Sequence, residues 1–469
     1  MFICSPVFEE GRSPYYLQLY QYMKKEIVEG RLSATEKLPS IRGLSTHLHV
    51  SKNTVEAAYQ QLLAEGYIES QPKKGYFVSQ VGPSLFKTIQ TKEENKFRFN
   101  PSINVQTQLP YDFHYGSIER SAFPMKQWKK WSNLAYEMEM GATQAYGEAQ
   151  GEQSLREEIA NYLLQARGIN STAGQIYITS GTQQSISLLC QSILASNQQV
   201  AFEEPGYNEA RLMFKSHHFS IQPISLEHDG LNVKELNQTQ AKIVYTTPSH
   251  QFPCGMIMPI KKRLELIQWA NETGGIVIED DYDGEYRYRG KPIPALRSLS
   301  DEIIYLGTFS KMLLPSLRIS FAVLPPRMLE KLQTLNQTVP RVIQNTMSLF
   351  MKEGDWERHV RRMKTLYQKK HDLLIHSIEE HLGESVKIVG SDSGLHLLLE
   401  VHSNDTEQQL IDKAAENGVK VYPTHLYWSD PRKVHQKLIM IGFGNIENEK
   451  INKGILKLQE AWFGLREDG

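Results

Sequence analysis

The sequence predicts two domains of different class: a small α+β unit at the N-terminus and a larger α/β domain built on a mainly parallel sheet. Three observations predict this. Residues 1–80 read as three short helices and a hairpin. From Ile176 to Leu324, apolar strand-like runs alternate with helical stretches, the pattern of a parallel sheet covered on both faces. Between these regions, Ser79 to about Thr107 is rich in Gln, Asn, Ser and Lys and lacks apolar periodicity, so it reads as a linker. The expected organisation is a unit over 1–80, a linker over 81–107 and a domain over 108–469, with a smaller subdomain from about 340.

Each element of the first unit has a local reason. Tyr16, Leu17, Leu19, Tyr20, Met23 and Ile27 have helical spacing over Tyr15 to Ile27, and Gly30-Arg31-Leu32 ends that helix. A second helix runs from Ile41 to about Leu48. A third runs from Ser51 to Glu65 and turns Val55, Tyr59, Leu62 and Leu63 inward. Gly66 to Ser70 and Lys73 to Val78 form a hairpin around a polar turn. Three helices and a hairpin make a winged helix-turn-helix, whose recognition helix enters the DNA major groove by its N-terminal residues. Here those are Ser51, Lys52, Asn53 and Thr54, all able to touch phosphates or base edges. The unit's acids, Glu26, Glu29, Glu36 and Glu56 among them, nearly balance its bases. A strong non-specific pull on DNA is therefore not expected.

Bulk properties narrow the class. The chain has 469 residues, enough for more than one domain and a large core, and a formal net charge of -1, which gives no global attraction to nucleic acid or membrane. Its three cysteines, Cys4, Cys190 and Cys254, are too far apart for a disulfide framework or a metal cluster, and no metal is expected. Cys4 reads as an exposed thiol and Cys190 as core. No apolar run reaches membrane-spanning length and no signal core opens the chain, so the cytoplasm is the expected compartment.

The chemistry-bearing motifs lie in the second domain. Gly307-Thr308-Phe309-Ser310-Lys311, then Leu317-Arg318-Ile319-Ser320, follow the apolar run Ile303 to Leu306. A strand-end lysine among hydroxyls and before an arginine suits a Schiff base to an aldehyde cofactor whose phosphate the hydroxyls and guanidinium hold, which points to pyridoxal 5'-phosphate. Ile276 to Asp283 reads as a buried strand ending in acids and a tyrosine, able to meet a protonated pyridine nitrogen and a ring hydroxyl. Ile176 to Gln184 reads as strand, tight turn and helix start, a phosphate cradle of backbone amides and the Thr182 hydroxyl. Glu203-Glu204-Pro205-Gly206-Tyr207 puts a tyrosine on a turn, where it could stack on a ring. Taken singly, these segments also describe a surface lysine, a solvated acidic turn, an ordinary helix cap and a packing tyrosine.

Together and in this order, the motifs make the chain from about residue 110 resemble the fold-type I aminotransferases, with a large and a small subdomain. The resemblance implies that Lys311 carries the cofactor as an aldimine, Asp280 meets the pyridine nitrogen, Tyr282 the ring hydroxyl and Tyr207 the ring face. It gives the phosphate to Gly181, Thr182, Gln183, Ser310 and Arg318. The first unit resembles the GntR family of bacterial regulators through Lys37-Leu38-Pro39-Ser40-Ile41-Arg42, Val50-Ser51-Lys52-Asn53-Thr54-Val55 and Ala64-Glu65-Gly66-Tyr67. That likeness implies that Arg42, Ser51, Lys52, Asn53 and Thr54 face operator DNA, with Lys73 and Lys74 at the wing tip beside the minor groove. The two halves together resemble the MocR subfamily of GntR regulators, typically head-to-tail homodimers.

Departures from the enzyme pattern set the functional expectation. Aminotransferases of this type clamp the substrate carboxylate with an arginine on a strand near the C-terminus; here Met440 stands there. Phe252 takes the place of an asparagine that touches the ring hydroxyl, with His250 nearby. A GABA-sensing member of the subfamily holds its ligand with two arginines; here Glu209 and Leu426, beside His425, occupy those places. A ligand carboxylate buried without them would lose several kcal/mol, roughly, so GABA is not the expected effector. Glu209 suits a ligand with a second cationic group, while a surface pair with Arg211 is the plainer reading. The expected function is a PLP-dependent transcriptional regulator with little or no transaminase turnover. Its amine or amino-acid effector would form an external aldimine and alter DNA binding through subdomain closure. The alternatives are an active aminotransferase with an accessory DNA-binding domain and a regulator that has lost the cofactor.

Overall fold

The computed structural model describes residues 6–9, 11, 13–80, 109–141, 147–194, 198–288, 293–332, 339–430 and 437–464. Cys4 and the expected linker with Lys87, Lys92 and Lys96 lie outside the described residues. The chain divides into two compact units, Met1–Gln106 and Thr107–Gly469.

The first unit is a winged helix-turn-helix. Helix α1 is Tyr15–Val28, α2 Ile41–Leu48 and α3 Lys52–Ala64, and strands β1 (Ile68–Gln71) and β2 (Gly75–Val78) pair antiparallel. Ser40 caps α2 by accepting from Gly43 N at 3.1 Å, and Ser51 caps α3 by accepting from Thr54 N at 3.1 Å. His49, at φ 55, ends α2 in the left-handed region and so turns the chain into α3. Leu19, Met23, Val55, Tyr59 and Leu62 are buried in one core, and the Tyr59 hydroxyl donates to Pro39 O at 2.9 Å. Tyr16, spaced for the same face, is 39% exposed because it sits in the first turn, ahead of the packed stretch that begins at Leu19.

The second unit is built on an eight-stranded sheet in the order Ile176–Thr179, Ser320–Val323, Ile304–Thr308, Ile276–Asp281, Ile243–Thr246, Gln199–Glu204, Ser220–Glu227, Gly230–Leu231. The five strands from Ile304–Thr308 to Ser220–Glu227 run parallel to one another. Ser320–Val323 is antiparallel to both of its neighbours, and Gly230–Leu231 is an antiparallel edge. Ile304 and Ile243 are fully buried, as strands covered on both faces require. The smaller C-terminal part has a four-stranded antiparallel sheet, Val386–Val389, His396–Val401, Leu438–Gly442 and Tyr422–Pro423. The long helix expected from Val360 to Glu380 spans Asp355–His381. Among the described residues, no helix is long and apolar enough to cross a membrane.

One contact pins the loop after Ile243–Thr246 to the smaller sheet. Gly255 (φ 71) and Gly390 (φ 75) meet backbone to backbone, and a Cβ on Gly255 would overlap Gly390 Cα. Gly274 has a similar φ of 66, yet a Cβ there meets nothing within 4 Å. Gly274→Ala should therefore cost only the left-handed penalty, about 1–2 kcal/mol. Gly255→Ala should cost about 1–3 kcal/mol more through overpacking. Thermal melts of both variants check this, and equal losses would show that the close approach does not matter.

Candidate cofactor and ligand site

The site forms where parallel strands end together. Strands Ile276–Asp281 and Ile304–Thr308 are in register with Leu306 opposite Asp280 and Gly307 opposite Asp281, so both deliver their next residues to one sheet edge. After Thr308 the chain turns on hydroxyls: Thr308 Oγ1 accepts from Ser310 N at 3.2 Å and from Ser320 Oγ at 2.8 Å. The Tyr286 hydroxyl donates to Lys311 O at 2.9 Å, which fixes the lysine backbone. Burial lowers the Lys311 amine below its ordinary value, against the pull of the Asp283 and Glu209 carboxylates. That favours the neutral, nucleophilic amine.

Asp280 is buried. Tyr245 donates to its Oδ2, while Oδ1 has no hydrogen-bond partner among the described residues. Burial pushes its carboxyl up to about 7, with the Tyr245 hydrogen bond opposing. A buried carboxylate oxygen without a donor is the partner a protonated pyridine nitrogen needs. The Tyr282 hydroxyl lies 2.9 Å from His250 Nδ1, and that nitrogen lies 2.9 Å from Asp283 Oδ2.

The phosphate end is equally specific. Gly181 (φ 105) is the N-cap of helix Thr182–Ser192 and brings no side-chain acceptor to its first amides. A Cβ on Gly181 would overlap the Arg318 guanidinium, so glycine lets that cation lie over the helix N-terminus. Arg318 Nη2 donates to Ser180 O at 2.9 Å. The residues present thus fit pyridoxal 5'-phosphate at the pyridine end and at the phosphate end.

One cavity of about 300 Å³ brings together Lys311, Asp280, Tyr282, Tyr207 and Gly181 with Thr182, Gln183, Ser310 and Arg318. The ligand side departs from expectation in three places. Glu209 does not pair with Arg211: Arg211 is buried and bonds Glu204 Oε2 at 3.1 Å and Tyr427 O at 3.1 Å, because α-helical spacing turns it away from Glu209. Glu209 lines the cavity, and its Oε2 is buried without a partner among the described residues. Leu426 is 54% exposed; the residue of that turn that packs inward is Tyr427, while His425 pairs with Glu407. Met440 is fully buried in an apolar cluster with Phe252, Leu398, Tyr427 and Leu438.

Sequence reasoning missed Tyr245, Asp283, His114 and His396. A tyrosine inside the apolar strand Ile243–Thr246 signals a hydroxyl in need of a partner, but only strand order puts that partner at Asp280. His396, pushed down to about 3 by burial, lies with Nε2 3.1 Å from Pro253 O; nothing local marks it.

In the first unit, Arg42, Lys52, Asn53, Lys73 and Lys74 are exposed, and Ser51 and Thr54 hydroxyls lie 2.8 Å apart at the cap. Lys73 (φ 62) and Lys74 stand in the hairpin turn. Three of the unit's acids are paired away from this face: Arg31 bonds Glu26 and Glu29, and Lys24 bonds Glu65 at 2.8 Å. Among the described residues, no ion pair engages Arg42, Lys52, Lys73 or Lys74.

The raised Asp280 carboxyl generates a pH prediction. With the folded value near 7 and an unfolded value of about 3.9, the folded cofactor-free protein holds a proton that the unfolded chain releases. This contribution to stability therefore falls as pH rises from about 4 to about 7. Asp280→Asn removes the slope. The cofactor-free variant should melt above the parent at about pH 8, by the order of a few kcal/mol, with the gap shrinking toward about pH 5. Melts of both cofactor-free forms across that range check it; a constant gap would contradict it.

Comparison with known proteins agrees with both halves. Residues 15–78 match the gntR family of bacterial regulatory proteins, and residues 117–433 match aminotransferase class I and II. The chain is 41% identical to an uncharacterized HTH-type transcriptional regulator of Bacillus subtilis, YhdI, over 97% of both proteins. It is 30% identical to the probable rhizopine catabolism regulatory protein MocR of Rhizobium meliloti, over 97% of this chain and 95% of that one. Among solved structures, the kynurenine aminotransferase of Pyrococcus horikoshii superposes with a TM-score of 0.69 at 25% identity, covering 80% of this chain and 98% of its own. The aminotransferase half makes pyridoxal 5'-phosphate the cofactor. With a GntR helix-turn-helix ahead of an aminotransferase-like domain, and relatives of the same build along its whole length, the chain belongs to the MocR subfamily of GntR-family transcriptional regulators.

Proposed function

We propose that this DNA-binding transcriptional regulator is switched by a small amine-bearing effector that competes with Lys311 for its cofactor. The observation that carries this reading is the pairing, in one cavity, of Lys311 with the partnerless oxygen of Asp280. Bound pyridoxal 5'-phosphate supplies an aldehyde carbon that one primary amine can take over from another. Lys311 provides the resident amine, Asp280 the carboxylate at the pyridine nitrogen and Tyr282 the ring-hydroxyl contact. Tyr207 covers the ring, and Gly181, Thr182, Gln183, Ser310 and Arg318 hold the phosphate. Effector binding then alters closure of the smaller subdomain and, in a homodimer, the spacing of the two winged helices. Slow transaminase turnover follows from the ligand side. Phe252 lines the cavity with an apolar ring, and Met440, packed behind it, stands where an arginine would clamp a substrate carboxylate; a loosely held substrate rarely aligns its Cα–H bond for removal. The protein acts on DNA, and so in the cytoplasm.

The cofactor half is checked by colour and trapping. The purified protein should be yellow, borohydride should fix the cofactor to the chain, and Lys311→Ala should abolish that fixation. A colourless protein that added pyridoxal 5'-phosphate cannot restore would sink the reading.

On DNA, Arg42, Ser51, Lys52, Asn53 and Thr54 read the operator, with Lys73 and Lys74 on the backbone beside it. Footprinting should show protection of paired half-sites upstream of its own or an adjacent gene. Arg42→Ala and Lys52→Ala should each lose about 1–3 kcal/mol of specific binding. Protection unchanged in both variants would show that the recognition face lies elsewhere.

A further inference from the structure

Resting on that reading of an amine effector, we propose that the effector is a diamine without a carboxylate, whose far ammonium docks on Glu209 between aromatic walls. Glu209 lies in the first turn of helix Asn208–Ser216, directly after Tyr207, and both line the cavity. Its Oε2 is buried without a hydrogen-bond partner among the described residues. A buried carboxylate oxygen in that state calls for a donor. Arg211, two residues on, cannot serve, because it is committed to Glu204 and Tyr427 O.

Two cationic side chains line the cavity among the described residues, Lys311 and Arg318. Arg318 is drawn to the phosphate end by its bond to Ser180 O. Lys311 feels the Glu209 charge, but its amine is the group committed to the cofactor. While Lys311 holds the cofactor, no other cation among the described residues answers Glu209, and when an effector displaces it, burial disfavours the charged form of the freed amine. The two histidines of the wall do not fill the gap. Burial lowers both His114 and His396, and His114 Nδ1 accepts from Gly116 N at 3.0 Å.

The surroundings favour a cation over a neutral donor. Tyr115, Tyr207 and Phe252 line the same cavity. The Phe252 ring centroid lies 5.5 Å from that of Tyr207 and 6.2 Å from that of Tyr115, and behind it Tyr427 packs at 4.8 Å. Aromatic faces beside a carboxylate attract an ammonium and stabilise it once its water is stripped. A ligand carboxylate at this end would meet a like charge and an apolar ring, and among the described residues the one guanidinium lining the cavity, Arg318, lies at the phosphate end. The acid that would exclude an amino acid is the acid that would select a diamine.

Three four-carbon amines that differ only at the far end test this on the cofactor-loaded, full-length protein: 1,4-diaminobutane, butylamine and 4-aminobutanoate. The readouts are the change in cofactor absorbance and the half-saturating concentration, with calorimetry as an independent measure of binding. Diaminobutane should half-saturate at a concentration roughly tenfold or more below butylamine, with 4-aminobutanoate the weakest. Glu209→Gln should erase the advantage of the diamine over butylamine, and Glu209→Asp, which keeps the charge, should retain part of it. Equal affinity of wild type for diaminobutane and butylamine, or a preference that survives Glu209→Gln, would overturn the diamine assignment and leave the amine-effector reading standing. A cofactor-loaded protein that responds to no amine at all would overturn that reading, and this inference with it.

Discussion

Desolvation of charge at the carboxyl edge of the central sheet is the constraint on which the rest of this molecule depends. Glu203, Glu279, Asp280, Asp281 and Asp283 are all buried there. Most are answered by dedicated partners. Glu203 takes the Thr247 hydroxyl at 2.9 Å, and Glu279 accepts the backbone amides of Leu296 and Arg297 at 2.8 Å each. Asp281 meets Arg167 at 2.6 Å and the Tyr305 hydroxyl at 2.8 Å, and Asp283 meets His250. Among the described residues, Asp280 has a single tyrosine on one oxygen and no cation in an ion pair with it. Asp281 also keeps one oxygen without a donor among the described residues, but the Arg167 charge lies beside it; a buried acid without a cation stores an unfavourable energy that a cationic ligand can release. The penalty on Asp280 in the cofactor-free chain is thus the counterpart of its affinity for a cationic ring.

The same cavity separates two chemical tasks that a transaminating enzyme performs together. The cofactor side is built with charge and hydroxyls: Lys311, Asp280, Tyr282 and the Gly181–Arg318 cradle. The ligand side has been rebuilt in aromatic and apolar groups, with Phe252 at its centre. Phe252 is in aromatic contact with Tyr207, Tyr282, Tyr427 and His396. The loop that carries it is held by Gly255 against Gly390, so the smaller sheet sets where that ring stands. A change of ligand that shifts the smaller sheet therefore shifts the aromatic wall with it, a coupling of the hinge or shear kind available to two-part domains.

In the first unit the net balance of charge conceals a local asymmetry. Arg31 neutralises Glu26 and Glu29, and Lys24 neutralises Glu65, so these acids are spent within the unit. The exposed bases at the start of α3 and in the hairpin turn remain available to phosphates. Such a distribution yields a local positive field and weak long-range attraction, which places specificity in contacts rather than in bulk charge.

The sequence by itself determined the elements and the fold class. Helical spacing, serine caps at Ser40 and Ser51 and the β-α alternation are local properties, and local hydrogen bonding and side-chain periodicity write them directly into residue order. The strand-end lysine and the glycine turn at Gly181 were legible for the same reason, since each motif carries its geometry within a few residues. What only the tertiary structure decided is who answers whom across the sheet. Tyr245 reaches Asp280 from a neighbouring strand 35 residues away, and His250 lies between Tyr282 and Asp283. Glu209 and Arg211, neighbours in sequence, separate to opposite sides of a helix, one to the cavity and one to Glu204. The physical reason is that burial and electrostatics are pairwise in space. A side chain's charge state and freedom to bind depend on which distant residues exclude water from it, and strand order and helix facing settle that.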